Sequence, residues 1–195
     1  MSVPDADDSG LRDEARSVEV LQSDVVFDGR VWDIRREEFA YGDVSLVREF
    51  MEHPGAVAVL VIDADDRLLT IQQYRHPIQM RNWELPAGLL DVDGEPPLEA
   101  AQRELAEEAD LVAASWEPLI TLHTSPGGSD EVIHVFRATD VTAAEIVFER
   151  EAEERDIVVR WVPLAEAVDA VLAGHVHNGI FLAAVLAEHA RRSRG

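Results

Sequence analysis

Residues 56–62, Ala-Val-Ala-Val-Leu-Val-Ile, form an apolar run with no polar alternation. Such a run predicts a central strand buried on both faces. Residues 63–67 are polar and turn the chain, 68–74 read as the next strand, and 75–81 read as a loop. Further strands are expected near 116–123, 131–138 and 157–162. Helical spacing appears three times. The first helix runs over 97–110, with Leu98, Ala101, Leu105 and Ala109 on one stripe. A second starts at Pro163 and Leu164 and ends by Gly174. The last is capped by Asn178 and reaches about Arg192.

Upstream, residues 18–52 carry β-prone runs broken by Asp28-Gly29 and Tyr41-Gly42-Asp43, both turn signals. The pattern predicts a three-stranded antiparallel sheet. A piece of roughly 35 residues cannot bury a core alone and must pack on the main domain or on a second subunit. His53-Pro54-Gly55 marks the boundary. The expected organisation is a disordered acidic tail over 1–15, an N-terminal sheet over 16–54 and the main domain over 55–195. The fold class is α/β (α+β), with helices sandwiching a mixed sheet.

Composition narrows the functional classes. The 195 residues carry a formal charge of −22, a field that repels nucleic acid and anionic membranes. An anionic nucleotide would need local cations. Cysteine is absent, so neither disulfides nor thiolate metal ligands exist. No apolar stretch is long enough to span a bilayer, and the acidic N-terminus lacks a signal-peptide core. A cytoplasmic protein is expected.

The candidate chemistry lies in 88–111. Arg103-Glu104-Leu105-Ala106-Glu107-Glu108 places three carboxylates within five residues of the first helix. Glutamate-rich helices are ordinarily just solvated. With Leu98 at zero on the helical wheel, however, Glu107 falls near ~180°, Glu104 near ~240° and Glu108 near ~280°. Glu108 then borders the buried stripe. Carboxylates held beside a core repel one another unless a cation neutralises them, and hard divalent cations prefer oxygen ligands.

This segment resembles the Nudix box of the Nudix hydrolases: Gly, five residues, Glu, seven residues, then Arg-Glu-apolar-x-Glu-Glu-x-Gly-apolar. Gly88, Glu95 and Arg103-Glu104-Leu105-x-Glu107-Glu108 carry the match. The chain departs from the pattern twice. Six residues separate Gly88 from Glu95, and Asp110 stands at the final glycine. Aspartate tolerates the left-handed conformation better than most residues.

The resemblance implies an αβα-sandwich Nudix fold from about Ala56 to His189. It also implies Mg²⁺, with Mn²⁺ as a substitute, held by Glu104, Glu107, Glu108 and the Ala87 carbonyl. Arg103 is expected to point away from these ligands as an ion-pairing structural residue. The chain is further similar to the ADP-ribose pyrophosphatase branch, which has a proline about sixteen residues past the box's last glycine position. Pro126 stands there, within Ser125-Pro126-Gly127-Gly128-Ser129, a stretch that is also a turn signal. That branch places its general base on a loop before a late strand. This picks Glu153, then Glu154, with a box carboxylate such as Glu108 as the remaining choice.

Arg48, Glu49, Arg75 and Glu84 match substrate-side positions of the branch. For Arg48, Arg75 and Glu84 a structural role is equally open. In that branch the N-terminal sheet is exchanged across a homodimer. The implied reaction is hydrolysis of ADP-ribose to AMP and ribose 5-phosphate. Rival readings are a Nudix pyrophosphatase for another nucleoside diphosphate sugar and a catalytically silent domain that senses a metabolite. His175-x-His177 follows Gly174 and is expected to be a connection between helices, not a metal pair.

Overall fold

The computed structural model describes residues 10–145 and 156–194. The expectation for residues 1–15 falls largely, and that for Glu153 and Glu154 wholly, outside the described residues. Contacts divide the chain into two units, Met1–Phe50 and Met51–Gly195.

In the first unit, β1 (Val20–Phe27) and β2 (Asp33–Tyr41) pair antiparallel, and β3 (Val44–Glu52) completes a sheet of order β1-β2-β3. Every position of β1 is exposed. Phe27, Val31 and Val44 are among the large apolar side chains left at the surface. This is what a small sheet with too few residues to enclose a core must show.

The second unit is organised by β4 (Ala56–Val61), all of whose positions are buried. It runs parallel to β9 (Val132–Ala143) and antiparallel to β7 (Ala87–Leu89). With β8 (Leu111–His123) outermost, the sheet order is β7-β4-β9-β8. A second sheet has the order β10-β5-β6, from β5 (Arg67–Arg75), β6 (Met80–Glu84) and β10 (Val158–Pro163).

Side chains alternate across a strand, and β4 has no polar face to spare. Val57, Val59 and Val61 therefore pack with Ala100, Ala101 and Leu105 of α1 (Pro97–Ala109). Ala58, Leu60 and their neighbours pack with Val168 of α2 (Leu164–Leu172) and with Phe181 and Val185 of α3 (Gly179–Arg194). Helices thus cover both sides of the strands, as an αβα sandwich requires. Asn178 Oδ1 accepts the Phe181 N–H at 2.9 Å and caps α3.

Three expectations need correction. Residues 75–81 are not a loop: only a short 3₁₀ turn at His76–Ile78 interrupts the chain, and Met80–Glu84 pairs with β5 from Arg75↔Met80 to Ile71↔Glu84. Strands β8 and β9 are longer than expected, because they form one extended hairpin whose pairs run to Leu111↔Ala143. Leu98 is 37% exposed, while Ala100, Ala101, Leu105 and Glu108 are buried. The buried arc of α1 therefore spans roughly 200° to 340° on the same wheel. Leu98 lies outside it, and Glu108 sits within it and not at its border.

Candidate active site

Helix α1 ends where the sequence pattern places the final glycine. Asp110 adopts φ 54° and its N–H bonds back to Ala106 O at 3.1 Å. The left-handed stop keeps the last turn intact, so Glu107 and Glu108 remain helical. Glu108 is only 6% exposed. Its Oε2 accepts the Ala87 N–H at 2.9 Å, which meets the requirement that a buried carboxylate be hydrogen-bonded. The bond ties α1 to the first residue of β7.

Glu104 reaches the same place from one turn earlier. A Cβ on Gly88 would lie 2.0 Å from the Glu104 Cδ, so only glycine admits this carboxylate against the strand. Glu104 and Glu108 are thus aimed at one short backbone segment, Ala87-Gly88.

Arg103 departs from expectation. Its guanidinium does not point away from the box carboxylates. Nη1 bonds Glu104 Oε1 at 2.6 Å and Glu107 Oε2 at 3.2 Å, while Nε and Nη2 grip Glu95 at 3.1 and 2.9 Å. The expected ion-pairing role holds; the direction does not. The bond from Arg103 holds the Glu95 carboxyl below its ordinary range, and Glu95, with Glu104, raises the Arg103 guanidinium. The extra residue in the 88–95 loop therefore does not keep Glu95 from the helix.

Among the described residues, no three His, Asp or Glu side chains stand as a ready-made metal cluster. Glu104 and Glu107 share Arg103, and Glu108 engages the Ala87 amide. The donor set still fits a hard divalent cation, because it consists of oxygen atoms only, with one carboxylate in a cradle that a Cβ would fill.

On the second sheet, Glu84 is 3% exposed. Arg75 clasps it through Nε at 3.1 Å and Nη2 at 2.8 Å, and Gln73 Nε2 approaches at 3.4 Å. The β5–β6 pairing brings these residues together. Arg48 and Glu49 lie on β3 in the first unit, where Glu49 pairs with Arg36 at 2.9 Å and Arg48 donates to the Val47 carbonyl at 2.8 Å. Pro126 sits in a tight turn in which the Gly128 and Ser129 amides both bond to Ser125 O. His175 and His177 fall in the α2–α3 connection, as the sequence suggested.

One group escaped the sequence reading: His53, Thr124 and Glu131. Here the His53 ring meets Glu131, which also accepts from Thr124. The parallel pairing of β4 with β9 brings the residues that precede both strands side by side. No local periodicity carries that signal.

The geometry agrees with the comparisons. The family model of the NUDIX domain matches residues 51–184. An ADP-ribose pyrophosphatase of Mycobacterium tuberculosis (strain ATCC 25618 / H37Rv) is 43% identical over 88% of this chain and 83% of its own length. One from Bacillus subtilis (strain 168) is 35% identical over 81% of this chain and 85% of its own. A crystal structure of an ADP compounds hydrolase superposes with a TM-score of 0.77 at 21% identity. It covers 94% of this chain and 99% of that one, and it shows the same fold. With Glu104 and Glu108 gathered at Ala87-Gly88 and a family match over residues 51–184, this chain belongs to the NUDIX family.

Proposed function

We propose that this protein hydrolyses the diphosphate bond of ADP-ribose, releasing AMP and ribose 5-phosphate, in a divalent-metal-dependent reaction. The observation that carries the reading is the 43% identity, over 88% of the chain, to an ADP-ribose pyrophosphatase. The intact box carboxylates give that likeness its chemistry. Glu104, Glu107 and Glu108, with the Ala87 carbonyl, would hold Mg²⁺ or, as a substitute, Mn²⁺. When bound, the ion neutralises phosphate oxygens and activates water.

The chain's own residues do the rest. The Ala87 amide fixes the rotamer of Glu108, and Gly88 leaves room for Glu104. Glu153, with Glu154 as second choice, takes the proton from the attacking water. Arg75, oriented by the buried Glu84, faces the anionic substrate, and Arg48 and Glu49 complete recognition. Their place on the N-terminal sheet makes the proposed assembly a homodimer that exchanges this sheet. The exposed apolar side chains of β1 support that assembly. A nucleotide-sugar hydrolase of this kind would work in the cytoplasm. No helix among the described residues is long and apolar enough to cross a membrane.

Product analysis with a panel of nucleoside diphosphate derivatives and Mg²⁺ tests the reading. AMP and ribose 5-phosphate from ADP-ribose are the expected products. Turnover of a different nucleoside diphosphate sugar alone would move the assignment to that substrate.

A further inference from the structure

Met51, at the end of β3, and His53, in the connector that enters β4, are bonded to residues 128–130. Met51 N donates to Gly128 O at 2.9 Å, and Asp130 N donates to Met51 O at 3.3 Å. The Ser129 hydroxyl donates to the same Met51 carbonyl at 3.3 Å. His53 N donates to Asp130 Oδ1 at 2.8 Å. The His53 side chain is only 4% exposed, and its Nδ1 accepts the Gly55 N–H at 3.0 Å. A ring nitrogen that accepts cannot carry a proton. The proton therefore sits on Nε2, which faces Glu131 Oε1 at 3.4 Å. The other oxygen, Oε2, takes the Thr124 hydroxyl. Glu131 thus bonds the residue just before the turn, and the buried imidazole lies against Glu131.

The same connector touches the box loop. Gly55, at φ 91°, offers its carbonyl to Leu90 N at 3.0 Å, and a Cβ there would meet Leu90 at 3.2 Å and Val132 O at 3.3 Å. Leu90 is two residues past the Gly88 cradle. His53-Pro54-Gly55 therefore links the Pro126 turn on one side to the segment after Gly88, against which Glu104 of α1 packs, on the other.

We infer that His53 and Glu131 are positioning residues that hold the Pro126 turn in register with the box carboxylates, and so set substrate affinity without touching the reacting atoms. The inference rests on the reading of the chain as a diphosphate hydrolase. It predicts a split between KM and kcat, because the turn is displaced while the carboxylates stay.

The test compares His53→Ala, Glu131→Ala, Glu131→Gln and Thr124→Val with the wild type, using whichever substrate of the panel the wild type hydrolyses best. His53→Ala and Glu131→Ala are expected to raise KM about tenfold while kcat stays within about threefold. Glu131→Gln should restore KM to within about twofold of wild type, since its amide can still bond the Thr124 hydroxyl and face the imidazole. Thr124 is exposed, so Thr124→Val cannot fail by cavity formation. It should raise KM by about threefold and serves if His53→Ala does not fold.

Hydrogen exchange at the Gly128 and Ser129 amides provides a readout free of activity. It should quicken in Glu131→Ala and not in Glu131→Gln. Unchanged KM and unchanged exchange in Glu131→Ala would overturn the inference. So would a Glu131→Gln as damaging as Glu131→Ala. A wild type inert toward ADP-ribose counts against the substrate assignment alone, because the exchange comparison still stands.

Discussion

The Glu104 carboxyl lies so close to the α-carbon of Gly88 that a methyl group there would fall 2.0 Å from its Cδ. The glycine of strand β7 and the glutamate of the helix, sixteen positions apart, occupy one another's space. This is the physical content of the spacing between them: the strand must be bare at this position for the carboxylate to enter.

Gly88→Ala should therefore expel Glu104 from its cradle and lower kcat/KM by about 10²-fold or more, as loss of a metal-site carboxylate does. Glu104→Gln and Glu108→Gln should lose activity to a similar extent. The fold should survive, because the glutamine oxygen in Glu108→Gln still accepts the Ala87 N–H. Circular dichroism and turnover at saturating Mg²⁺ check both halves. Near wild-type turnover in either glutamine variant would show that these carboxylates do not serve the metal.

The box was readable because its information is local. Arg103, Glu104, Glu107 and Glu108 share one helix, and the period of 3.6 places them. Leu98 gives the hydrophobic pattern a false phase. A leucine in the first turn looks like core, but Ala100 and Ala101 carry the contact with β4. Small side chains let α1 approach the sheet, and they weigh little in a hydrophobic pattern. The strand at Met80–Glu84 was hidden by Arg81 and Asn82, whose polarity suits a loop; pairing with β5 overrides it. Long-range pairs were out of reach. His53 with Glu131, and Glu188 with Arg137, depend on strand order and not on spacing.

Glu188 supplies a prediction of another kind. It is fully buried on α3 and is bonded by Arg192 at 2.7 Å, Arg191 at 2.9 Å and Arg137 at 3.2 Å. Burial alone would push its carboxyl up. The hydrogen bonds from Arg191 and Arg192 and the charge of Arg137 outweigh it and hold the carboxyl below the ordinary value of 4.5. A group depressed in the folded state stabilises fully above its unfolded value and loses that contribution as pH falls through its folded value. Glu188→Gln should cost on the order of 2 kcal/mol near neutral pH, since it removes charge-assisted bonds while the partly exposed arginines keep Glu117 and Asp66 as partners. It should also flatten the acid side of the stability curve below pH 4.5. Denaturant midpoints followed against pH would show this. Parallel curves for wild type and variant would mean that Glu188 contributes no proton linkage.

For the general base, Glu153→Gln is expected to lower kcat by about 10²-fold or more with little change in metal affinity, as loss of a proton acceptor should. A silent Glu153→Gln beside an inactive Glu154→Gln would move the role by one residue. If both variants keep wild-type turnover, the base lies in the box, with Glu108 the next to test.

The forked contact between Arg75 and Glu84 bears on specificity. Glu84 is nearly inaccessible while Arg75 is 46% exposed along its side chain. The carboxylate thus acts as a fixed mount, and the guanidinium is the part a substrate would meet. Lysine cannot reproduce two parallel bonds to one carboxylate. Arg75→Lys should raise KM for ADP-ribose by about tenfold, corresponding to ~1.4 kcal/mol, with Mg²⁺ affinity unchanged. Wild-type protein should prefer ADP-ribose over ADP-glucose, GDP-mannose and diadenosine polyphosphates by roughly tenfold or more in kcat/KM. Arg75→Lys should narrow that margin if the guanidinium reads the ribose-phosphate side, and should lower every rate alike if it only neutralises phosphate charge. Equal rates across the panel for wild type would make Pro126 and Arg75 structural residues here, with the hydrolase chemistry of the box carboxylates unaffected.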